Sequence, residues 1–263
     1  IIDNIRQSGN IRGAYYAEKR EKLVRQELGL RVTDRAEYAL LTGCFSPFSV
    51  PDELRALGNL LKYYEVDYTL LEHSYCCGDI CFRQAVEDTN EEDFNQVDLL
   101  SREFFDNNLH RARNVGASKI IAFCIGCNEV FSRYNDTAPE EVLWYPTLLA
   151  SVFRGGKLDL HADYYAGCHR YYHRLNSTMP DLESSLFVLN QIEGLKLNQL
   201  DHSMCCTRPE QVESLISSVQ NRTIITSCHG CAMFLGQAIQ SRGDYRVVML
   251  PQVAWAAVNG LTL

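Results

Sequence analysis

Ten of the eleven cysteines in this 263-residue chain follow one pattern that occurs twice. The pattern is a single Cys, then an adjacent Cys-Cys pair, then Cys-x-x-Cys. The first copy consists of Cys44, Cys76, Cys77, Cys124 and Cys127, and the second of Cys168, Cys205, Cys206, Cys228 and Cys231. A tetrahedral zinc ion takes four ligands, so five thiolates per copy favour an iron–sulfur site over a plain zinc site.

The sequence around these cysteines is repeated as well. Residues 71–77 read Leu-Glu-His-Ser-Tyr-Cys-Cys and reappear at residues 200–206 as Leu-Asp-His-Ser-Met-Cys-Cys. Residues 120–127 reappear at residues 224–231, again with two isoleucines before Cys-x-x-Cys and a glycine inside it. Agreement on both sides of the cysteines indicates a duplicated fold unit rather than scattered thiols.

Short apolar segments alternate with longer segments of helical periodicity in both repeats. We predict strands at residues 37–41, 68–71, 119–123, 161–166, 195–200, 223–226 and 245–249. We predict helices at residues 51–64, 92–114, 209–219 and 251–259, with further helices after Arg170 and after Cys231. This alternation predicts an α/β fold with two pseudo-repeated parallel-sheet βαβ units and helices on the sheet faces. The cysteines then follow the carboxyl ends of strands, where such sheets place their ligands.

The repeats divide the chain into three predicted segments. Residues 1–36 form a polar helical arm, residues 37–156 the first cysteine-bearing unit and residues 157–263 the second. With 46% hydrophobic residues the chain has enough apolar material for a core in each unit. It begins at Ile1 without an initiator methionine, which is consistent with a piece of a longer protein.

Charge and composition argue against several classes of function. The net charge of −8 disfavours a nucleic-acid-binding protein, because a surface that follows phosphates carries a basic excess. The most apolar stretch, residues 142–153, contains Pro146 and is shorter than a membrane span, so we expect neither a transmembrane segment nor a secretion signal. Disulfide-dense chains are usually small secreted domains. We therefore expect free thiols in the cytoplasm, with any membrane association made through a partner.

The order Cys, Cys-Cys-Gly, Cys-x-x-Cys resembles the cysteine-rich CCG domain of heterodisulfide reductase catalytic subunits of the B/D type. Related domains occur in the iron–sulfur subunits of complexes that oxidise glycolate, lactate and glycerol 3-phosphate. In heterodisulfide reductases two such domains each carry a noncubane 4Fe-4S cluster bound by five cysteines, and the disulfide is split between the clusters. The resemblance covers residues 37–259 and implies two 4Fe-4S clusters here, one on each five-cysteine set.

The resemblance also implies an activity and partners. The chain would be an oxidoreductase subunit that reduces, or reversibly forms, a disulfide such as a CoM–CoB-type heterodisulfide, with a small thiol or disulfide as substrate. Electrons would come from a ferredoxin-like iron–sulfur subunit or fused domain, within a complex that includes a flavoprotein subunit. Residues 5–10 resemble the segment that follows a ferredoxin domain in fused members, although a polar linker helix explains them equally well. Two other functions stay open: an electron-transfer subunit between a flavin dehydrogenase and a quinone, and a zinc-stabilised interaction module without redox chemistry.

Three histidines near the cysteines are candidate catalytic residues for proton transfer. His73 and His202 each lie three residues before a Cys-Cys pair, and His229 lies inside the second Cys-x-x-Cys. An imidazole can give a proton to a nascent thiolate near neutral pH, while a structural hydrogen bond is the alternative role. Cys81 is expected to be a small buried residue rather than a ligand. The cationic, aromatic residues 169–174 either receive an anionic group or solvate a helix start.

The two copies differ beside their cysteines. Gly78 follows the first Cys-Cys pair, as in the family pattern, whereas Thr207 follows the second. Glycine permits a positive φ or a close backbone approach, and threonine resists both. His229 stands where the first copy has Ile125. We therefore expect the second pocket to be more polar and to depart further from the family.

Overall fold

The structure is a computed structural model that describes residues 1–87, 91–137, 140–167, 180–240, 243 and 245–263. These residues group into two compact units. The first comprises residues 1–51, 65–145 and Pro180, and the second comprises residues 52–64, 146–167 and 181–263 within the described ranges. The boundaries predicted from the sequence, after residues 36 and 156, remain a prediction.

The first unit is built on a parallel sheet whose described strands follow the order β2-β1-β3-β4. The strands are β1 Tyr38–Leu41, β2 Tyr68–Leu70, β3 Lys119–Ala122 and β4 Glu141–Trp144. Ala39, Leu40 and Leu41 are fully buried in the central strand, as expected for a sheet covered by helices on both faces. Parallel pairing brings the carboxyl ends of these strands to one edge.

The second unit repeats this sheet, in the order β6-β5-β7-β8 for its described strands. The strands are β5 Gly156–Tyr165, β6 Ile192–Gln199, β7 Thr223–Thr226 and β8 Arg246–Met249. The register is the same as in the first sheet: Ala39 pairs with Ile120, and its counterpart Asp163 pairs with Ile224. The predicted α/β class with two repeated parallel sheets is confirmed.

Helices connect the strands in both units. The described helices are α1 Ile2–Ser8, α2 Ala14–Lys22, α3 Ser46–Ser49, α4 Pro51–Tyr63, α5 Asp79–Glu87, α6 Glu91–Asn114, α7 Ile125–Phe131, α8 Tyr145–Val152, α9 Glu183–Asn190, α10 Pro209–Ser217, α11 His229–Ile239 and α12 Leu250–Asn259. A π-helical turn at Leu23–Glu27 extends α2, and a 3₁₀ segment at Ser132–Thr137 follows α7. Pro51 and Pro209 open their helices, where the missing N–H costs no hydrogen bond.

Several sequence-based boundaries are corrected. Strand β4 and helix α8 fill residues 142–152, where the sequence suggests only an apolar stretch interrupted by Pro146. Pro146 is the second residue of α8, a position that tolerates proline. Strand β5 begins at Gly156 rather than at 161, because its exposed polar residues and a bulge between Lys157 and Leu160 hide the strand pattern. The predicted helix after Arg170 falls on residues outside the described ranges.

The N-terminal arm is also different from the single helix that its spacing suggests. It consists of α1 and α2, separated by a turn in which Gly9 has a φ of 71° and Gly13 a φ of 86°. Ile5 is fully buried against Cys76 and Phe104. The segment therefore packs onto the first unit and reaches the loop that carries its Cys-Cys pair.

A buried carboxylate fixes one loop of the second sheet. Asp163, near the carboxyl end of β5, is fully buried and accepts hydrogen bonds from the backbone N–H groups of Gln220 and Asn221, the latter at 2.6 Å. The side chain of Asn198 on β6 donates to the same carboxylate. Asp163 thus ties the turn before β7 to the centre of the sheet.

We expect Asp163→Asn to lower the free energy of unfolding by about 2 kcal/mol, because an amide cannot accept all of these hydrogen bonds and brings a donor of its own. Asp159→Asn is the matched control, since Asp159 lies on the same strand and is exposed; it should change the value by less than about 0.5 kcal/mol. Chemical denaturation followed by circular dichroism measures both. Equal losses for the two variants would contradict the anchoring role of Asp163.

Candidate metal centre

Three loops at the carboxyl edge of the first sheet carry its five cysteines. Cys44 follows β1, Cys76 and Cys77 follow β2, Cys124 caps helix α7 after β3, and Cys127 lies in the first turn of that helix. Because the strands are parallel, these loops meet at one edge. The structure therefore brings together all five cysteines that the sequence pattern predicts for the first copy.

The thiols of this first pocket are in contact with one another. The Sγ atoms of Cys44 and Cys76 lie 3.2 Å apart without a disulfide bond. Cys77 is hydrogen-bonded to Cys127, and Cys127 to Cys124. Cys76, Cys77 and Cys127 are buried, and Cys44 and Cys124 are partly buried. The pocket is a continuous cluster of sulfur donors shielded from water.

Crowding and burial keep these thiols protonated in the absence of a cation. The hydrogen bond from Cys76 and burial raise the pKa of Cys44 well above its usual value. The pKa of Cys127 is raised in the same way by Cys124 and by burial. Several thiolates so close together would repel one another. A bound metal group removes this penalty, because it supplies the positive charge that ionised thiols need.

Gly43 lies at a tightly packed position of the first pocket. Its φ is +85°, and a Cβ at this position would lie 3.1 Å from Cβ of Cys124, 3.3 Å from Oγ of Ser46 and 3.8 Å from Sγ of Cys127. A side chain here would be strained by the backbone and would also press into the cysteine cluster. Gly43 thus lets two cysteine loops approach each other closely.

Buried amide and hydroxyl groups hold the Cys-Cys loop of the first unit. Asn108, fully buried on α6, accepts from the N–H of Tyr75 at 2.7 Å and donates to the carbonyl of Tyr75 at 2.9 Å. Ser101, also on α6, donates to the carbonyl of Cys77 at 2.7 Å. Sequence reasoning missed these two residues, since polar positions in a long helix are their only local signal. Their partners lie 33 and 24 residues away along the chain.

The second pocket repeats the arrangement with the four cysteines that the structure describes. Sγ of Cys206 lies 3.3 Å from Sγ of Cys231, Cys228 caps α11, and Cys205 is buried beside them. The hydrogen bond from Cys205 is the main cause that raises the pKa of Cys206 to about 12. Cys168 lies outside the described residues, as do residues 169–174. Gly167, directly before Cys168, has a positive φ like Gly43, at 98°.

The two pockets differ as the sequence indicates. Gly78 has a φ of +77°, and a Cβ there would lie 2.9 Å from Oγ of Ser101. Thr207 does not adopt a positive φ; it is exposed, and its Oγ1 lies 3.0 Å from Sγ of Cys205. The second Cys-Cys loop thus turns by a different backbone path and places a hydroxyl beside a cysteine. His229 is half-buried at the start of α11, where the first pocket has the buried Ile125.

The other candidate residues lie at more open positions. His73 and His202 are both exposed, and His73 has a left-handed backbone with a φ of 50°. Their proposed roles in proton transfer remain predictions. Cys81 is half-buried on α5, and burial raises its pKa. It is therefore less buried than expected.

The described ranges contain no group of three His, Cys, Asp or Glu side chains arranged to hold a single metal ion. The pockets can still bind a metal group, because they provide sulfur donors and bring these donors together from several loops. Buried sulfur donors from several loops are the ligands that iron–sulfur clusters take. The close approach of the cysteine loops at Gly43 and the contacts between their sulfurs fit such a group.

Sheet, repeat and cysteine arrangement together define a cysteine-rich α/β protein with a thiol pocket at a sheet edge. The family model named CCG, described as a cysteine-rich domain, matches residues 38–132, a range that includes all five cysteines of the first pocket. Residues 38–132 are thus similar to the CCG cysteine-rich domain, and the chain resembles a heterodisulfide reductase subunit in sequence.

Two relatives of this kind are similar over most of the chain. The chain is 22% identical to the D-type subunit of dihydromethanophenazine:CoB–CoM heterodisulfide reductase from Methanosarcina acetivorans, over 75% of this chain and 49% of that protein. The corresponding protein from Methanosarcina barkeri gives the same identity and coverage. The chain therefore spans about half the length of the curated relatives it matches.

Among solved structures, a hypothetical protein from Helicobacter pylori has a similar fold. Its TM-score is 0.54 at 12% identity, over 92% of this chain and 53% of the other. This similarity concerns the fold alone. None of the helices in the described ranges combines the length and apolar character needed to cross a bilayer.

We expect Gly43→Ala to lower the free energy of unfolding by about 3 kcal/mol, because it combines a strained φ with overpacking against the cysteines. Gly29→Ala is the matched control. Gly29 also has a positive φ, of 64°, but a Cβ there would meet nothing within 4 Å, so only the backbone cost of about 1 to 2 kcal/mol should appear. Denaturant titration of both variants measures the difference. Equal losses would show that the pocket has room for a side chain at position 43.

Proposed function

We propose that this chain is an iron–sulfur redox subunit that acts on a disulfide. The supporting observation is the row of contacts that links the five thiols at the carboxyl edge of the first sheet. In the repeated unit the four described cysteines are arranged in the same way, with Cys206 in contact with Cys231. The match to the CCG domain and to heterodisulfide reductase subunits supports the same class of protein.

Each pocket would hold one 4Fe-4S cluster, noncubane in type as the family resemblance implies. The first would be held by Cys44, Cys76, Cys77, Cys124 and Cys127, and the second by Cys168, Cys205, Cys206, Cys228 and Cys231. When bound, such a cluster supplies one-electron redox chemistry and iron for sulfur ligation. The protein contributes the soft ligands, the burial that excludes water, and a second pocket for the second electron.

The reaction proposed is the reductive cleavage of a small disulfide. Two electrons and two protons convert one disulfide into two thiols, and the reverse reaction forms the disulfide. The electrons would come from a ferredoxin-like iron–sulfur subunit or domain within a complex that includes a flavoprotein. His73, His202 and His229 are the proposed proton donors to the thiolates that form. A heterodisulfide of the CoM–CoB type is the proposed substrate class, in line with the names of the relatives.

The oxidation state of the cysteines indicates the kind of cellular compartment in which the protein works. Ten cysteines among the described residues are outside any disulfide, including pairs of sulfurs 3.2 and 3.3 Å apart. Such pairs are open to oxidation in an oxidising compartment. We therefore propose that the protein works in the reducing cytoplasm.

Anaerobically purified protein should contain about eight irons and a similar amount of acid-labile sulfide per chain, as two 4Fe-4S clusters require. Cys77→Ser removes a central ligand of the first pocket and should lower both values by about half. Cys81→Ser is the matched control and should leave them unchanged, because Cys81 lies outside the five-cysteine set. Fewer than about four irons in the wild type would contradict even a single cluster. A colourless, zinc-containing chain would instead support the interaction module.

Addition of a small anionic thiol such as mercaptoethanesulfonate should change the electron paramagnetic resonance signal of one cluster, because the thiol would bind iron directly. The same addition to Cys206→Ser, which lacks a ligand of the second pocket, identifies the responding pocket. An unchanged signal in iron-replete protein would contradict substrate binding. It would support a relay between a flavin dehydrogenase and a quinone.

A further inference from the structure

The N-terminal segment places one charged side chain behind the first pocket. Arg20 is only 1% exposed, although it belongs to the mostly polar helix α2. Its Nη2 donates to the carbonyl of Ser74 at 2.9 Å, two residues before Cys76. Its Nη1 is buried and has no hydrogen-bond partner within the described part of the chain. Burying a guanidinium in this way is costly, so packing alone does not explain it.

The same segment contacts the backbone of both cysteines that form the 3.2 Å sulfur contact. The carbonyl of Gly9 accepts from the N–H of Cys76 at 2.9 Å, and Nδ2 of Asn10 donates to the carbonyl of Cys44 at 3.4 Å. The guanidinium of Arg20 is thus buried against the loop that carries Cys76, in a segment that also contacts the loop of Cys44.

Arg20 has one ionic partner among the residues that the structure describes. Oε1 of Glu21 accepts from Nη2 of Arg20 at 2.8 Å and from Nε at 3.2 Å. Arg20 bonds to both Glu21 and the cysteine loop, so Glu21 acts on the pocket as the counter-charge of Arg20. The two neighbouring residues carry opposite charges in one buried location, which allows their electrostatic effects to be separated by mutation.

We propose that Arg20 is a positioning residue that sets the reduction potential of the metal centre in the first pocket, with Glu21 as its counter-charge. The inference rests on the proposed function, since it requires a redox group on Cys44 and Cys76. A one-electron reduction adds negative charge to that group. A fixed cation in a buried location stabilises the added charge with little screening by salt, and the potential becomes more positive.

The test is an anaerobic redox titration of iron-replete protein, followed by electron paramagnetic resonance. Arg20→Gln should make the reduction potential of the first pocket more negative by about 59 mV. For a one-electron reduction this corresponds to about a tenfold decrease in the equilibrium constant of the reduction. Glu21→Gln should shift it to more positive values, and Arg20→Lys, which keeps the charge, should lie close to the wild type. Arg6→Gln is the matched control, because Arg6 lies on the same N-terminal segment but its ion pair with Glu103 on α6 is about half exposed. Arg6→Gln should leave the first-pocket potential unchanged. None of these variants should change the potential measured from the second-pocket signal.

The outcomes separate the two proposals. Unchanged potentials in iron-replete Arg20→Gln and Glu21→Gln would overturn the role of Arg20 and leave the proposed function intact. Equal shifts in Arg20→Lys and Arg20→Gln, without a positive shift in Glu21→Gln, would show that Arg20 only anchors the Ser74 loop. If Arg20→Gln does not fold, the Glu21→Gln variant tests the proposal alone: a shift of the first-pocket potential to more positive values supports it, and any other result contradicts it. A wild-type chain without iron would overturn the proposed function and the role of Arg20 with it.

Discussion

Repulsion between closely packed sulfurs is the constraint on which the first pocket depends. Cys44 and Cys76 lie 3.2 Å apart, and Cys77, Cys124 and Cys127 extend the same cluster. Buried thiols at this spacing cannot all ionise unless a positive charge is bound among them. The surrounding protein therefore has to hold five potential anions together without the stabilisation that a bound metal provides.

The scaffold meets this constraint by fixing the backbone of the loops. Parallel strands bring the loops to one edge of the sheet, and Gly43 lets two of these loops approach closely. Asn108 holds the Cys-Cys loop by hydrogen bonds to the backbone N–H and the backbone carbonyl of Tyr75. The N-terminal segment adds contacts through Gly9 and Asn10. Since these contacts bond to the backbone and not to the sulfurs, the loops keep their positions while the cysteines can still serve as ligands.

Features with local signals could be predicted from the sequence, whereas features that depend on distant residues could not. The central strands β1, β3 and β7 were predicted to within about one residue because each is a short apolar run next to a cysteine loop. Helix α8 was missed because Pro146, taken alone, signals an interruption. The burial of Asp163 and Arg20 was not foreseen, since their partners lie 57 and 54 residues away and a charged side chain by itself indicates an exposed position. Loop contacts of this kind arise only when the sheet brings distant segments together.

An anaerobic crystal structure with anomalous diffraction at the iron edge tests the central claim most directly. The expected result is a polynuclear iron site bound by Sγ of Cys44, Cys76, Cys77, Cys124 and Cys127. A single zinc ion, or a disulfide between Cys44 and Cys76 with no iron nearby, would contradict it.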